Sequence, residues 1–227
     1  MTQTTGTMAD TFTGTFTGTT LPHDLLRLTG SAVADAVLPG WASASLAACP
    51  WGVVRRAPHP PGLIPVGVRG PARRQRHATL VPAGAVTRRV PPEDLRRERP
   101  RLPRLPAALS TALSTALSAA ALLLAAELDG DAVWGPIGGV GFELATGRAV
   151  THPGSDLDLL IRAPRRWERA LAARLTAAFA ALPRRVDCQL ETPRGGISLT
   201  EWARTGGPVL ARTAHGPELV DDPWDVP

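Results

Sequence analysis

The sequence predicts an α+β protein in two unequal parts: a smaller β-rich N-terminal domain, then a C-terminal mixed sheet with flanking helices. Three observations carry that expectation. In the first half, short apolar runs such as Trp51–Val54 and Leu63–Val68 are separated by Pro and Gly, the punctuation of strands and turns. In the second half, long helical patterns alternate with short apolar strands. Charge divides at the same place: residues 1–104 hold 14 Arg against 6 acids, net +8, and residues 105–227 hold 11 Arg against 14 acids, net −3. The boundary is therefore set near residue 104.

Taken in order, residues 1–20 read as a disordered leader. The run Thr11-Phe12-Thr13-Gly14-Thr15-Phe16-Thr17-Gly18-Thr19 is low in complexity and offers no core. Residues 21–28 have an amphipathic helical pattern, and His23 reads as a helix-start residue or a functional one. Residues 36–92 contain eight Arg and no Asp or Glu. These arginines form three groups: Arg55-Arg56, then Arg69 with Arg73, Arg74 and Arg76, then Arg88-Arg89. A Pro- and Arg-rich linker fills 91–106 and closes the basic domain of residues 21–104.

In the domain of residues 105–227, a helix is expected over 107–128. Its 22-residue uncharged stretch, 105–126, is long enough to span a bilayer. It is nevertheless Ala-rich and carries Ser and Thr, and Leu109, Leu113 and Leu117 recur every four residues, which fits a packed helix. A strand at 132–134, a glycine turn, a short helix to 145 and a strand at 156–161 follow. A helix over 165–181 places Trp167, Leu171, Leu175, Ala178 and Leu182 on one face. A strand at 186–190 comes next.

The chemistry is concentrated around Gly138-Gly139 and Ser155-Asp156-Leu157-Asp158-Leu159. Residues i and i+2 of a strand share a face, so Asp156 and Asp158 are expected side by side with the leucines turned to a core. Adjacent carboxylates repel, and a hard divalent cation shared with substrate phosphates is the natural compensator. Asp187, in Val186-Asp187-Cys188-Gln189-Leu190, adds a third carboxylate. A glycine pair lets backbone N–H groups approach a phosphate. The pattern reads as a metal-dependent phosphoryl or nucleotidyl transfer site.

Composition removes several rival chemistries. All 25 basic residues are Arg, and the chain contains no Lys. That excludes a Walker-type phosphate loop, Schiff-base chemistry and a lysyl-nucleotide intermediate. Cys49 and Cys188 are the only cysteines, with no metal-binding Cys/His spacing. No secretory signal pattern is present, and a reducing cytoplasm is the expected compartment.

These segments resemble the nucleotidyltransferase superfamily. More narrowly, 138–147, 155–160 and 186–193 resemble the malonate decarboxylase holo-acyl-carrier-protein synthases, also called phosphoribosyl-dephospho-CoA transferases. Pro22-His23-Asp24-Leu25-Leu26, the run 62–70 and Arg73-Arg74-Gln75-Arg76 extend the likeness across about residues 21–217. One departure is Gly139, where that family usually carries Ser. The resemblance implies a nucleotidyltransferase-like C-terminal domain. It also implies transfer of a prosthetic group from 2′-(5″-triphosphoribosyl)-3′-dephospho-CoA to a serine of the apo acyl carrier protein of malonate decarboxylase, with release of pyrophosphate. Asp156 and Asp158 would be catalytic, and with Asp187 would hold Mg²⁺. Gly138, Gly139, Arg69, Arg73, Arg74 and Arg76 would bind the donor.

Two alternatives stand beside this reading. One is a nucleotidyltransferase acting on a small molecule with an NTP donor, which the paired-Asp pattern does not distinguish. The other is a non-catalytic Arg-rich nucleic-acid-binding protein, favoured by a pI near 10.9. No zinc finger, RNA-recognition aromatic motif or helix-turn-helix pattern supports the latter.

Overall fold

The computed structural model describes residues 18–30, 37–72, 74–96, 107–128, 133–204 and 206–225. Most of the expected leader, the expected boundary near residue 104 and Arg73 lie outside the described residues. The architecture is α+β, built on two sheets.

The first sheet has five strands: β1 (Leu25–Leu28), β2 (Trp51–Val54), β3 (Leu63–Arg69), β4 (Arg76–Pro82) and β5 (Val86–Val90). Their order is β4-β3-β2-β1-β5, with every pairing antiparallel. Helix α1 (Gly40–Ala48) covers one face and buries Ala42 and Leu46 among Leu26, Leu28, Val66 and Val68. The short α2 (Pro92–Leu95) leaves the sheet.

The helix expected over 21–28 is instead a turn followed by β1. The leucines there are buried on two faces: Leu26 and Leu28 join the core under α1, while Leu25 packs with Trp51, Val90, Leu95 and Phe142. Burial on both sides mimics helical spacing in a run this short. His23, at φ 74, ends any helical course before the strand begins.

The second sheet comprises β6 (Trp134–Pro136), β7 (Leu157–Arg162), β8 (Val186–Thr192), β9 (Gly195–Ser198), β10 (Val209–Thr213) and β11 (Gly216–Val220), in reverse sequence order across the sheet. Only β7 and β8 run parallel. Parallel neighbours need a crossover, which α5 (Arg169–Ala180) supplies. Helix α3 (Ala107–Glu127) and α5 pack on the sheet. Leu113, Ala116, Leu117, Ala120 and Leu124 recur at helical spacing and are buried with Leu157, Leu159 and Leu175. No helix among the described residues is long and apolar enough to cross a membrane.

Helix α5 starts later than expected, at Arg169, and the Trp167 carbonyl before it accepts a hydrogen bond from Trp202 Nε1 at 3.1 Å. Trp202 lies in α6 (Leu199–Arg204). The glycine turn also differs: Gly138 and Gly139 open helix α4 (Gly138–Thr146), so they belong to its first turn.

The two sheets are joined by packing and charge. Gly135 in β6 lies so close to α2 that a Cβ there would sit 1.9 Å from the Pro92 carbonyl oxygen. Fully buried Asp24 receives Arg89 Nε at 2.6 Å from the first sheet and Arg162 Nη2 at 3.4 Å from β7. Arg162 also meets Glu93 at 3.3 Å, and Arg56 pairs with Glu191 of β8. Burial raises the Asp24 carboxyl above its ordinary value, against the opposing pull of Arg89, the Leu21 amide and Arg162.

Candidate active site

A cavity of about 520 Å³ lies between the sheets and takes its lining from both. The second sheet contributes the acidic side. Asp158 in β7 and Asp187 in β8 are register partners across the parallel ladder, and both line the cavity. The apolar neighbours Leu157, Leu159, Cys188 and Leu190 are buried behind them, so strand alternation turns the acids toward the opening. Burial raises the Cys188 thiol, with Asp187 adding to the shift, which leaves it a protonated core residue.

Gly138 sits directly over Asp158. Its φ is +62, and a Cβ would lie 1.9 Å from Asp158 Oδ2. Two constraints therefore demand glycine at once: a left-handed backbone and the carboxylate beside it. The Ile137 amide donates to the Asp158 carbonyl at 2.9 Å, fixing the chain to β7 as it enters α4. Gly139 is less restricted. A Cβ there would meet Thr151 Cγ2 at 3.3 Å and approach Arg69 Nη1 at 4.0 Å.

Arg55, Arg69 and Arg76 line the cavity from the first sheet, and Arg212 of β10 lines it from the second. Burial lowers the pKa of the Arg69 guanidinium, with Arg76 adding to the shift and Asp158 and Glu143 opposing it. Buried Glu143 holds the loop after α4, accepting from the amides of Val150 and Thr151 at 3.1 Å each and from the Thr151 hydroxyl at 2.8 Å.

The expected site residues divide. The cavity gathers Gly138, Asp158, Asp187, Arg69 and Arg76, with Gly139 immediately behind Arg69. Arg74 is exposed and absent from the lining. Asp156 precedes β7 and is also absent from the lining, and its carboxylate lies 3.9 Å from Arg185. The same-face argument for Asp156 and Asp158 needs both to be in the strand, and only Asp158 is. Among the described residues, no three His, Cys, Asp or Glu side chains gather as a metal cluster.

Sequence reasoning did not select Arg55, Gln189 or Arg212, and it left His23 open. Gln189 had a signal: it lies two residues from Asp187 on the same strand face. Arg55 belonged to the acid-free belt. Arg212 had no distinguishing pattern. His23 lines the cavity, with Nε2 at 2.9 Å from Gln189 Nε2.

Comparison with known proteins extends over both halves. Residues 102–223 match the family model described as phosphoribosyl-dephospho-CoA transferase MdcG C-terminal domain, and residues 21–92 match its N-terminal counterpart. A Pseudomonas aeruginosa protein named phosphoribosyl-dephospho-CoA transferase is 45% identical over 205 residues, 90% of this chain and 94% of its own length. An Azotobacter vinelandii protein of the same name is 44% identical over 208 residues, 89% of this chain and 93% of its own. No solved structure matches. With both domain models and near-full-length relatives in agreement, this chain belongs to the phosphoribosyl-dephospho-CoA transferase family of enzymes.

Proposed function

We propose that the protein transfers the 2′-(5″-phosphoribosyl)-3′-dephospho-CoA group from its triphosphoribosyl donor to a serine of the apo acyl carrier protein subunit of malonate decarboxylase. The observation that carries the reading is the two-sided cavity. The Asp158–Asp187 pair and Gly138 stand on one side, with Arg55, Arg69 and Arg76 on the other. Such a cavity suits a polyphosphate whose charge is held by guanidiniums, while Asp158 and Asp187 would hold a magnesium ion able to bind phosphate oxygens.

In this reading the serine hydroxyl gives its proton to the Asp187 carboxylate, and the serine oxygen forms a bond to the phosphorus attached to the ribosyl group. The bond from that phosphorus to the pyrophosphate breaks, and pyrophosphate leaves with the electron pair. Arg55, Arg69 and Arg76 bind and orient the triphosphate, because guanidinium pairs well with phosphate oxygens. The Gly138 backbone keeps the approach to Asp158 open. Asp187, which is exposed, is the carboxylate that an incoming protein serine reaches, and it orients the hydroxyl. Asp158 and Asp187 would hold Mg²⁺, whose bound charge offsets that developing on the leaving pyrophosphate. The expected set paired Asp156 with Asp158 and added Asp187 as third ligand; the reading stands on the two carboxylates that face the cavity. The acid-free arginine belt would also steer an acidic carrier protein. We place the reaction in the cytoplasm, in keeping with two free cysteines.

The test is intact mass of purified apo carrier protein after incubation with enzyme, donor and Mg²⁺. A mass gain equal to the prosthetic group, absent when the carrier serine is replaced by Ala, is expected. An unmodified carrier alongside turnover of an NTP would replace this reading with the small-molecule nucleotidyltransferase.

A further inference from the structure

We propose that His23 contacts the donor phosphates as a neutral hydrogen-bond donor through Nδ1–H, and that it is not the proton acceptor of the reaction. The inference rests on the transferase reading of this cavity, and it deepens that reading by assigning a residue from the first domain.

The argument begins with Gln189. Its Oε1 receives Arg212 Nη1 at 3.0 Å. A guanidinium only donates, so the amide oxygen must point that way. The NH₂ end is thereby fixed toward Glu191 Oε2 at 3.4 Å and His23 Nε2 at 2.9 Å. An amide N–H also only donates. His23 Nε2 must therefore be the unprotonated, accepting nitrogen, and the ring proton sits on Nδ1.

The surroundings keep the ring uncharged. Burial, then Arg56, Arg162 and Arg212, pull its pKa down to about 4. The one lone pair that could accept a proton is already used by Gln189. Among the described residues Nδ1 has no hydrogen-bond partner, and the ring lines the cavity. An available N–H in an arginine-lined cavity calls for an acceptor, and a phosphate oxygen is that acceptor.

The backbone is shaped to present this ring. His23 adopts φ 74, a region that non-glycine residues seldom enter, though His, Asn and Asp do so more than others. The turn is held by the His23 amide donating to the Val54 carbonyl at 3.0 Å and by the Leu21 amide donating to Asp24 Oδ2 at 2.8 Å.

The experiment compares His23→Ala, His23→Asn and His23→Gln. The Asn amide nitrogen falls near the place of Nδ1, and Asn tolerates the left-handed backbone. The Gln nitrogen falls near the place of Nε2. His23→Ala is expected to raise KM for the donor about tenfold or more, the scale of one lost hydrogen bond to a charged group. His23→Asn should recover most of that loss, and His23→Gln should not. A ¹⁵N spectrum of the wild-type ring near neutral pH should show Nδ1 protonated and Nε2 unprotonated. Calorimetric titration with inorganic triphosphate should weaken in His23→Ala by a similar factor. The ring spectrum and the triphosphate titration do not need carrier modification, so they separate failure of this assignment from failure of the transferase reading. An Nε2-protonated or doubly protonated ring would overturn it, as would His23→Asn being as impaired as His23→Ala.

Discussion

The two sheets enclose one cavity but supply opposite chemistry to it. The first contributes Arg55, Arg69, Arg76 and His23; the second contributes both carboxylates, Asp158 and Asp187, with Gly138 and a single arginine, Arg212. Their construction differs in the same sense. Antiparallel pairing throughout the first sheet carries its arginines on strands and the segment between them, with His23 in the turn that precedes β1. The parallel step of the second brings two residues 29 positions apart in sequence, Asp158 and Asp187, into direct register. On the function proposed above, most phosphate binding and the reacting carboxylates fall to different sheets, and each can be perturbed separately.

The largest effect is expected at the acidic wall. Asp158→Asn should lower transfer by about 10³-fold with the fold retained, since it removes charge placed for the transition state. Single-turnover rates measure this. Asp156→Asn, measured in parallel, decides whether the working set is two carboxylates or three: an equal loss would make it three, despite its place outside the lining. Next comes the glycine. Gly138→Val meets both the positive φ and the Asp158 carboxylate, and should abolish detectable transfer while the protein still expresses. Gly139→Ser should stay within a few-fold of the parent, because Thr151 Cγ2 at 3.3 Å needs to shift only slightly. Full activity in Gly138→Val would remove this backbone from the site.

The basic wall should respond in affinity. Arg69→Ala and Arg76→Ala are each expected to weaken donor binding about tenfold, the scale of one charge-assisted hydrogen bond. Arg74→Ala, exposed and outside the lining, should change it less than twofold. Calorimetric titration of the donor distinguishes them, and equal effects at all three would dissolve the distinction between wall and surface.

The smallest effect concerns stability in acid. His23 has a folded pKa of about 4 against an ordinary 6.5, so the folded chain binds fewer protons between those values. The associated stability is complete above about pH 6.5 and is lost as pH falls toward 4, by at most about 3 kcal/mol. Asp24 works in the opposite sense. Its folded pKa is raised, so its contribution is complete below the ordinary 3.8 and is lost as pH rises through the raised value. Urea unfolding at about pH 7 and pH 5 should show a shallower acid loss in His23→Asn than in the parent. An unchanged slope would mean that the ring is not held neutral.

Much of the second sheet was legible because its signals are local. Leu157 and Leu159 alternate with Asp158, and Cys188 and Leu190 alternate with Asp187 and Gln189, so strand and face follow from period two. Helix α3 followed from leucines at spacing four. The first sheet was harder to read at its start. Leu25, Leu26 and Leu28 face two different packing surfaces, and a strand buried on both sides imitates a helix over four residues. The direction of Asp156 was not legible for another reason: periodicity gives direction only within a strand, and β7 begins one residue later. His23 depended on a backbone turn and on partners more than 160 residues away, as its contact with Gln189 shows, and no local pattern encodes that.

Asp24 has a consequence for the order in which the molecule is made. Its first partner, Arg89, emerges from the ribosome with the strands of its own sheet, whereas Arg162 is synthesised 73 residues later. A nascent first domain can therefore close its sheet around a carboxylate that has only one of its two guanidiniums. Arrival of β7 supplies the second guanidinium and, on the same strand, Asp158. Completion of the buried ion network and delivery of the first cavity carboxylate are thus one event in translation, and a chain interrupted before that strand has a basic wall with nothing opposite it.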